Sequence, residues 1–516
     1  MMCRLGWFLL YVLLSFSAFP GVDLGWLAWV SMVPLFLAMR RIERGSRFLL
    51  WVFAVEWIRW IALILWLRHV SWVAVLGIAA GFAFIHALWM WVLWWNTGRQ
   101  GCEGFAKLRI TQVVGLAALW AVLEWCRTQP FGLPGAHFSI TQWQSPLMLQ
   151  ISSVVGGYGL SALLVLVNLW FAQSIFRCIG VVRMTCRLML QPMLYALGCL
   201  FLIAGFGWFR LSQSESSAQN SQKDSGVRMG LVQPNLEPHL QWNYERMVEA
   251  VRNVWTESNA LTQGAEVDLL FWPEGTLPAA VNDGGAMQQE VEGWVSHALK
   301  VPVVFGNQAV DANGISYNAV LKLRPDVGLK GPFYAKRILV PFGEFIPFRR
   351  FFPGIETIVP IPSDFGRGTS QVVISVDVAG RELNISPLVC YEDCFPGLLL
   401  GDELEDVDLI YVATYNVWYG EEFGAYFHAA HSVLRAVEVG RSVVRCGSAG
   451  WSGWIDRWGQ IRYLLRDADG SIYFRGHGVF EWSEHTRETT LYYRWHDWVH
   501  ACMFLLSLLA GIRRKT

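Results

Sequence analysis

Hydrophobic and polar positions divide this chain into two regimes. Up to about residue 210, apolar runs at 5–20, 24–39, 49–67, 71–95, 108–126, 153–176 and 191–209 follow one another, and one more lies at 497–512. None carries the one-sided apolar stripe of a helix resting on a soluble core. A helix needs roughly 20 apolar residues to cross a bilayer. The longer runs reach that length, and the first, second and last need help from flanking residues. The pattern predicts a helical membrane bundle of about eight spans. Residues 5–20 lack the charged leader of a signal peptide and read as a retained first helix.

Basic residues alternate between the loops. Arg40, Arg41, Arg44 and Arg47 follow the second run, Arg99, Lys107 and Arg109 the fourth, Arg177, Arg183 and Arg187 the sixth, and Arg513, Arg514 and Lys515 the last. The intervening loops carry only Arg68 and Arg127. Positive residues stay cytoplasmic, so both termini are expected inside and the long segment before the last run outside. In a cell with two membranes that is the periplasm, with the bundle in the inner membrane. Glu56 with Arg59, and Glu124 with Arg127, lie one helical turn apart within or at the end of apolar runs. Charges there are costly and usually paired; these read as structural pairs rather than a lipid access path.

Beyond the bundle the period changes. Residues 212–226, SQSESSAQNSQKDSG, read as a flexible linker. Strands are then predicted at 227–233, 267–272, 301–306, 315–323, 371–377, 383–389, 407–413, 441–446 and 471–475, with helices at 241–263, 286–299 and 424–439. Interleaved strands and helices indicate a layered α/β domain. The expected organisation is a membrane domain over 1–211, the linker, an extracytoplasmic domain over 227–490, and a last span with a basic tail over 491–516.

Composition sharpens two points. The chain has 516 residues, 54% hydrophobic, and a formal net charge of +0, which leaves no electrostatic footprint for nucleic acid. Of its ten cysteines, only Cys390, Cys394 and Cys446 fall in the outside segment. An odd number leaves at least one thiol unpaired within the chain, and a pairing of Cys394 with Cys446 stays open. No metal-ligand constellation or nucleotide loop is apparent, and no cofactor is expected.

Three polar residues stand just past predicted strands: Glu274 in DLLFWPEG, Lys336 in FYAKRILVPFGEF, and Cys390 in LVCYEDCF. Strand ends hold side chains rigidly at a cleft edge. A carboxylate can take a thiol proton, and an ammonium can stabilise thiolate and oxyanion. A backbone N–H after the nucleophile, that of Tyr391, would assist. The rival Cys–His arrangement has His239, His297, His428, His431, His477 and His485 to draw on, none in so persuasive a strand-end setting as Glu274. Residues 345–365, with Arg349, Arg350, Phe351 and Phe352, are greasy enough to dip into a lipid headgroup layer.

WPEGTLP (272–278), YAKRILVPFGEFIP (334–347) and CYED (390–393) resemble the three catalytic motifs of the nitrilase superfamily, whose Glu-Lys-Cys triad sits on an αββα sandwich. VPFGEFIP, QPNLEPHLQW (233–242) and GGYGLSALLVLVN (156–168) are similar to the apolipoprotein N-acyltransferase family in particular. That resemblance spans nearly the whole chain. It implies a ping-pong transfer of an acyl chain from a membrane phospholipid to the N-terminal amine of a diacylglyceryl-cysteine, the last step of lipoprotein maturation. By it, Cys390 is the nucleophile, Glu274 the general base, and Lys336 with the Tyr391 N–H the oxyanion holder. Glu344 and Glu392 are supporting carboxylates, and Trp242, Trp418, Tyr419, Phe348 and Phe351 are expected at the substrate. The sequence departs from the family pattern at Tyr415 and Asn416 (usually Asn-Asp), at Phe427 (usually Gln) and at Ser448 (usually Asn), which puts acceptor handling in question. Two other readings stand beside it: a membrane-bound carbon–nitrogen hydrolase or amidase with the same triad, and a non-catalytic lipoprotein-binding scaffold.

Overall fold

A computed structural model describes residues 2–38, 45–97, 102–128, 136–179, 185–221, 226–236, 244–347, 349, 364–401, 404–484, 487 and 489–511. The chain forms two compact units: Met1–Glu215 with Glu422–Val439 and Thr490–Thr516, and Ser216–Glu421 with Gly440–Thr489.

The first unit is helical. Among the described residues, four helices are long and apolar enough to cross a membrane: Trp72–Thr97, Ile110–Thr128, Ser152–Cys178 and Leu188–Gln213. The other expected spans take different forms. The run 24–39 breaks into a short 3₁₀ turn, Gly25–Trp29, and a helix, Val33–Ala38. Helix Gly45–Leu63 carries Arg47, Glu56 and Arg59. Helices Met2–Ala18 and Leu491–Ser507 have 17 residues each, the latter kinked at Trp495. Apolar run length alone cannot separate a spanning helix from a shorter one packed among others, because both bury the same residue types. Buried polar groups pin the unit. Glu56 accepts from Arg59 at 2.8 Å and lies 2.8 Å from His86. Glu124 accepts from the Phe138 N–H at 2.9 Å and from Trp120 at 3.0 Å, and Arg127 donates to the Ala136 carbonyl at 3.0 Å. Gly156, with φ of +66°, kinks its helix where any Cβ would lie 2.3 Å from the Tyr492 ring.

The polar stretch 212–226 is helical through Ser221, as the continuation of helix Cys186–Ser221, where a linker was expected. No glycine or proline interrupts it before Gly226, and extending an existing helix is far cheaper than nucleating one. Helix Gly424–Val439, expected in the α/β domain, is counted with the first unit.

The second unit is built on two six-stranded sheets. Its strands are β1 (Val227–Gln233), β2 (Leu269–Trp272), β3 (Val303–Val310), β4 (Ser316–Leu323), β5 (Tyr334–Ala335), β6 (Ile374–Val378), β7 (Arg381–Val389), β8 (Leu409–Thr414), β9 (Ser442–Gly447), β10 (Gly453–Ile455), β11 (Ile461–Leu464) and β12 (Gly476–Trp482). One sheet has the order β12-β1-β2-β3-β4-β5 and the other β11-β10-β9-β8-β7-β6. In each, three central strands run parallel (β1-β2-β3 and β7-β8-β9) and the flanking pairs are antiparallel. Central parallel strands are covered on both faces and so read as unbroken apolar runs, as in LLFW of β2, buried at every position.

The sheets share one core, with Met229, Leu231, Phe271 and Val304 of the first against Ile385, Leu409, Tyr411 and Val444 of the second. The first sheet's outer face is covered by helices Tyr244–Gly264 and Ala286–Gly293, through residues such as Val254, Leu261 and Val291. The strand expected at 471–475 is displaced to β12. There Gly476 opens the pairing with β1, and the register Val227↔Trp482 places Phe480 in the core.

Candidate active site

Three strand ends converge. Glu274 follows β2 after Pro273, Lys336 follows β5, and Cys390 follows β7; the first two come from one sheet and the third from the other. All three are buried, at 7%, 0% and 8% exposure. Cys390 begins the 3₁₀ turn Cys390–Cys394 with φ of +56°. A non-glycine residue held in that region stores strain that the surroundings must sustain.

The charges are laid out in sequence. Lys336 Nζ lies 2.8 Å from Glu344 Oε1 and 3.7 Å from Glu274 Oε1. Burial opposes its positive charge, but Glu344 and then Glu274 outweigh it and hold the ammonium well above the usual lysine range. The Cys390 thiol is pushed up by burial first and the Glu274 charge next, against a smaller pull from Lys336. At rest Cys390 is therefore a thiol, and any attack by its sulfur would require that its proton be taken away. Among the described residues the charged groups that act on it most strongly are Glu274, Lys336 and Glu344. His477 pairs with Glu257 at 2.8 Å, and His297 is bonded within its own helical turn. His428 and His431 belong to the first unit, and His239 and His485 lie outside the described residues.

Glu392 is the structural hinge of the site. One carboxylate oxygen accepts from the N–H groups of Arg337 (2.7 Å) and Ile338 (3.0 Å). The other accepts from the Val389 N–H and the Tyr334 hydroxyl, both at 2.8 Å. One buried side chain thus joins the backbone after Lys336 to the backbone before Cys390. Burial pushes its pKa up, and Lys336 and the backbone donors pull it partly back. Tyr391 donates to the Leu339 carbonyl at 2.8 Å, and its ring centroid lies 5.4 Å from Lys336 Nζ.

Around this centre, Tyr419 feels Cys390, Cys394 and Glu274, although burial is the main cause of its raised pKa. Trp418 is half-buried, its ring 6.1 Å from that of Tyr415. Trp242, Phe348 and Phe351 lie outside the described residues, as does most of the greasy arm. Of the departures from the family pattern, Asn416 and Ser448 are buried in the second unit, and Ser448 N–H donates to the Thr414 carbonyl at 2.9 Å. Phe427 belongs to the first unit, stacked on Phe19 with ring centroids 5.6 Å apart. Cys394 and Cys446 form no disulfide among the described residues.

Two residues that sequence reasoning passed over complete the geometry. Asn318 in β4 donates from Nδ2 to Glu274 Oε1 (2.8 Å) and to Glu344 Oε1 (2.6 Å). Gly306 in β3 lies directly behind Glu274. Each had a faint signal: asparagine is depleted in strands, and glycine inside a strand pattern marks a close backbone approach.

Comparison with known proteins places both regions. Residues 12–170 match the apolipoprotein N-acyltransferase N-terminal domain family, and residues 228–478 match the carbon-nitrogen hydrolase family. An apolipoprotein N-acyltransferase from Chlorobaculum tepidum is 26% identical over 472 residues, 85% of this chain and 83% of its own. One from Geobacter metallireducens is 26% identical over 498 residues, 92% of this chain and 91% of its own. A solved CN-hydrolase superfamily protein from Xanthomonas campestris aligns with 55% of this chain and 97% of its own, at a TM-score of 0.36 and 19% identity. With the first family matched in its helical region and the second across its paired sheets, this chain carries an apolipoprotein N-acyltransferase N-terminal domain followed by a carbon-nitrogen hydrolase domain, and it is similar along most of its length to apolipoprotein N-acyltransferases.

Proposed function

We propose that this enzyme transfers an acyl chain from a membrane phospholipid to the N-terminal amine of a diacylglyceryl-cysteine on an apolipoprotein, through a thioester on Cys390. The observation that carries the reading is the buried meeting of Cys390, Lys336 and Glu274 at three strand ends. Glu274 takes the thiol proton as Cys390 Sγ attacks the phospholipid ester carbonyl. The tetrahedral oxyanion is held by Lys336 Nζ and the Tyr391 N–H. Collapse breaks the ester C–O bond, Glu274 returns the proton to the leaving alkoxide, and lysophospholipid departs. The acceptor amine then attacks the thioester, Glu274 takes its proton, and Cys390 is released as the thiol as the amide forms.

Four helices long enough to span support placement in a membrane. The alternation of basic loops supports a bundle of about eight spans in the inner membrane, with the α/β domain in the periplasm and both termini cytoplasmic. Trp242, Phe348, Phe351, Trp418 and Tyr419 are proposed to bind substrate.

The test is the intact mass of detergent-solubilised protein after incubation with phospholipid. Wild type gains one acyl chain, released by neutral hydroxylamine and discharged by a diacylglyceryl peptide with a free amine; Cys390→Ala gains nothing. Absence of an adduct on folded wild type across several phospholipids would overturn the phospholipid-donor mechanism.

A further inference from the structure

The two acids beside Lys336 are not held by the lysine alone. Asn318 Nδ2 has two hydrogens, and the structure gives each a carboxylate: Glu274 Oε1 at 2.8 Å and Glu344 Oε1 at 2.6 Å. The same two oxygens are those nearest Lys336 Nζ, at 3.7 and 2.8 Å. The Asn318 carbonyl in turn accepts the Lys336 N–H at 2.8 Å. Asn318 therefore clamps both carboxylates and the backbone of the lysine from a single position on β4, a strand register away from the loops that carry the triad. A consequence follows for Glu274. Its Oε1 is taken by the amide, whereas its Oε2 is buried with no hydrogen-bond partner among the described residues. A buried carboxylate oxygen without a donor is costly unless it has a task.

We propose that Asn318 is a positioning residue for the acyl transfer: by occupying Glu274 Oε1 it fixes the carboxylate's rotation and leaves Oε2 as the oxygen that shuttles the proton of Cys390. The inference rests on the proposed reading of Glu274 as base. A neutral amide suits the position because it gives a donor to each of two like charges and adds none. Aspartate has the same shape with the opposite consequence. Ionised, it would be a third carboxylate against two others. Protonated, its O–H could serve one of them.

The experiment compares wild type, Asn318→Asp and Asn318→Leu in detergent between pH 5.5 and 8.5. It follows the rate of acyl-adduct formation from phospholipid, and separately the rate at which iodoacetamide alkylates Cys390, read on its peptide mass. At neutral pH both variants are expected to acylate about 10²-fold more slowly, as for a catalytic group displaced by ~1 Å, with the apparent KM for phospholipid unchanged. The deficit of Asn318→Asp narrows as pH falls and its side chain regains a proton, while that of Asn318→Leu stays flat. A purely structural role predicts instead equal, pH-independent deficits in both variants that track a loss of thermal stability, and that result overturns the proposal. So does acylation within twofold of wild type in both. If wild type itself forms no acyl adduct, the phospholipid reading fails. The alkylation rates then still decide the point: a deficit that narrows with falling pH in Asn318→Asp beside a flat one in Asn318→Leu supports the Asn318 assignment, and superimposable profiles refute it.

Discussion

Gly306→Ala is the most economical perturbation of the proposed catalytic geometry, because it adds one methyl group behind Glu274 and removes no polar atom. A Cβ at Gly306 would lie 2.7 Å from Glu274 Cα, 2.8 Å from Ala413 Cβ and 2.9 Å from the Pro273 carbonyl oxygen. Ordinary contacts begin near 3.4 Å, so relief requires movement of about 0.5–0.7 Å against fixed partners rather than a flexible side-chain tip. The backbone cannot simply retreat: Gly306 N–H donates to the Pro273 carbonyl (3.1 Å) and its own carbonyl accepts from Thr276 (3.2 Å), bracketing Glu274 on both sides. Overpacking of this kind costs about 1–3 kcal/mol. A catalytic group displaced by ~1 Å loses ~10²-fold in rate, so the smaller shift here should slow acylation by about 10- to 100-fold. The assay is the time course of acyl adduct by intact mass, with melting followed by tryptophan fluorescence in the same detergent. Ala413→Gly removes one of the three clashes, so the double variant should recover part of both losses. Acylation by Gly306→Ala within twofold of wild type, at unchanged melting temperature, would refute the claim that the two sheets meet tightly behind Glu274.

Lys336→Met leaves Glu274 and Glu344 buried without their cation. Breaking a buried pair costs about 3–5 kcal/mol, so the variant should melt well below wild type and form no acyl adduct, and adding Glu344→Gln should restore stability but not activity. Glu392→Gln turns an acceptor oxygen towards donors into an amide NH₂. At about 1–3 kcal/mol per buried donor left unsatisfied, denaturant titration should show a clear loss, with acylation falling because the Lys336 and Cys390 backbones lose their common tie. Glu484 accepts from Ser442 Oγ, and its pKa is raised from 4.5 to about 7 by burial and by Asp456. The folded state thus binds a proton that the unfolded state has already lost, so this group's stabilisation is complete below pH ~4.5 and disappears as pH rises to ~7. Melting temperatures of wild type should decline across that window relative to those of Glu484→Gln; parallel curves would discount the effect.

The linear chain carried the local information. Apolar runs marked β2 and β8 as strands, because strands covered on both faces have no polar alternation to show. Glu274 past β2, Lys336 past the short β5 and Cys390 past β7 were legible as candidates because each polar or thiol side chain stands just past a predicted strand. Helix Gly424–Val439 was readable to the residue from its periodicity, but not its membership of the first unit, since an apolar stripe does not name its partner. The polar stretch ending at Ser221 misled in the opposite direction: composition suggested a linker where helix propagation wins.

Tertiary structure alone decided what surrounds the triad. Asn318 reaches Glu274 across 44 positions and Glu344 across 26, and Glu392 reaches Arg337 across 55. Such pairings depend on the register β4↔β5, in which Ala319 faces Ala335, and on the approach of the two sheets at Gly306 and Ala413. Side-chain type and spacing encode the tendency to form a strand. Which atoms then meet is set by cross-strand register and sheet packing, which no local window of the sequence contains.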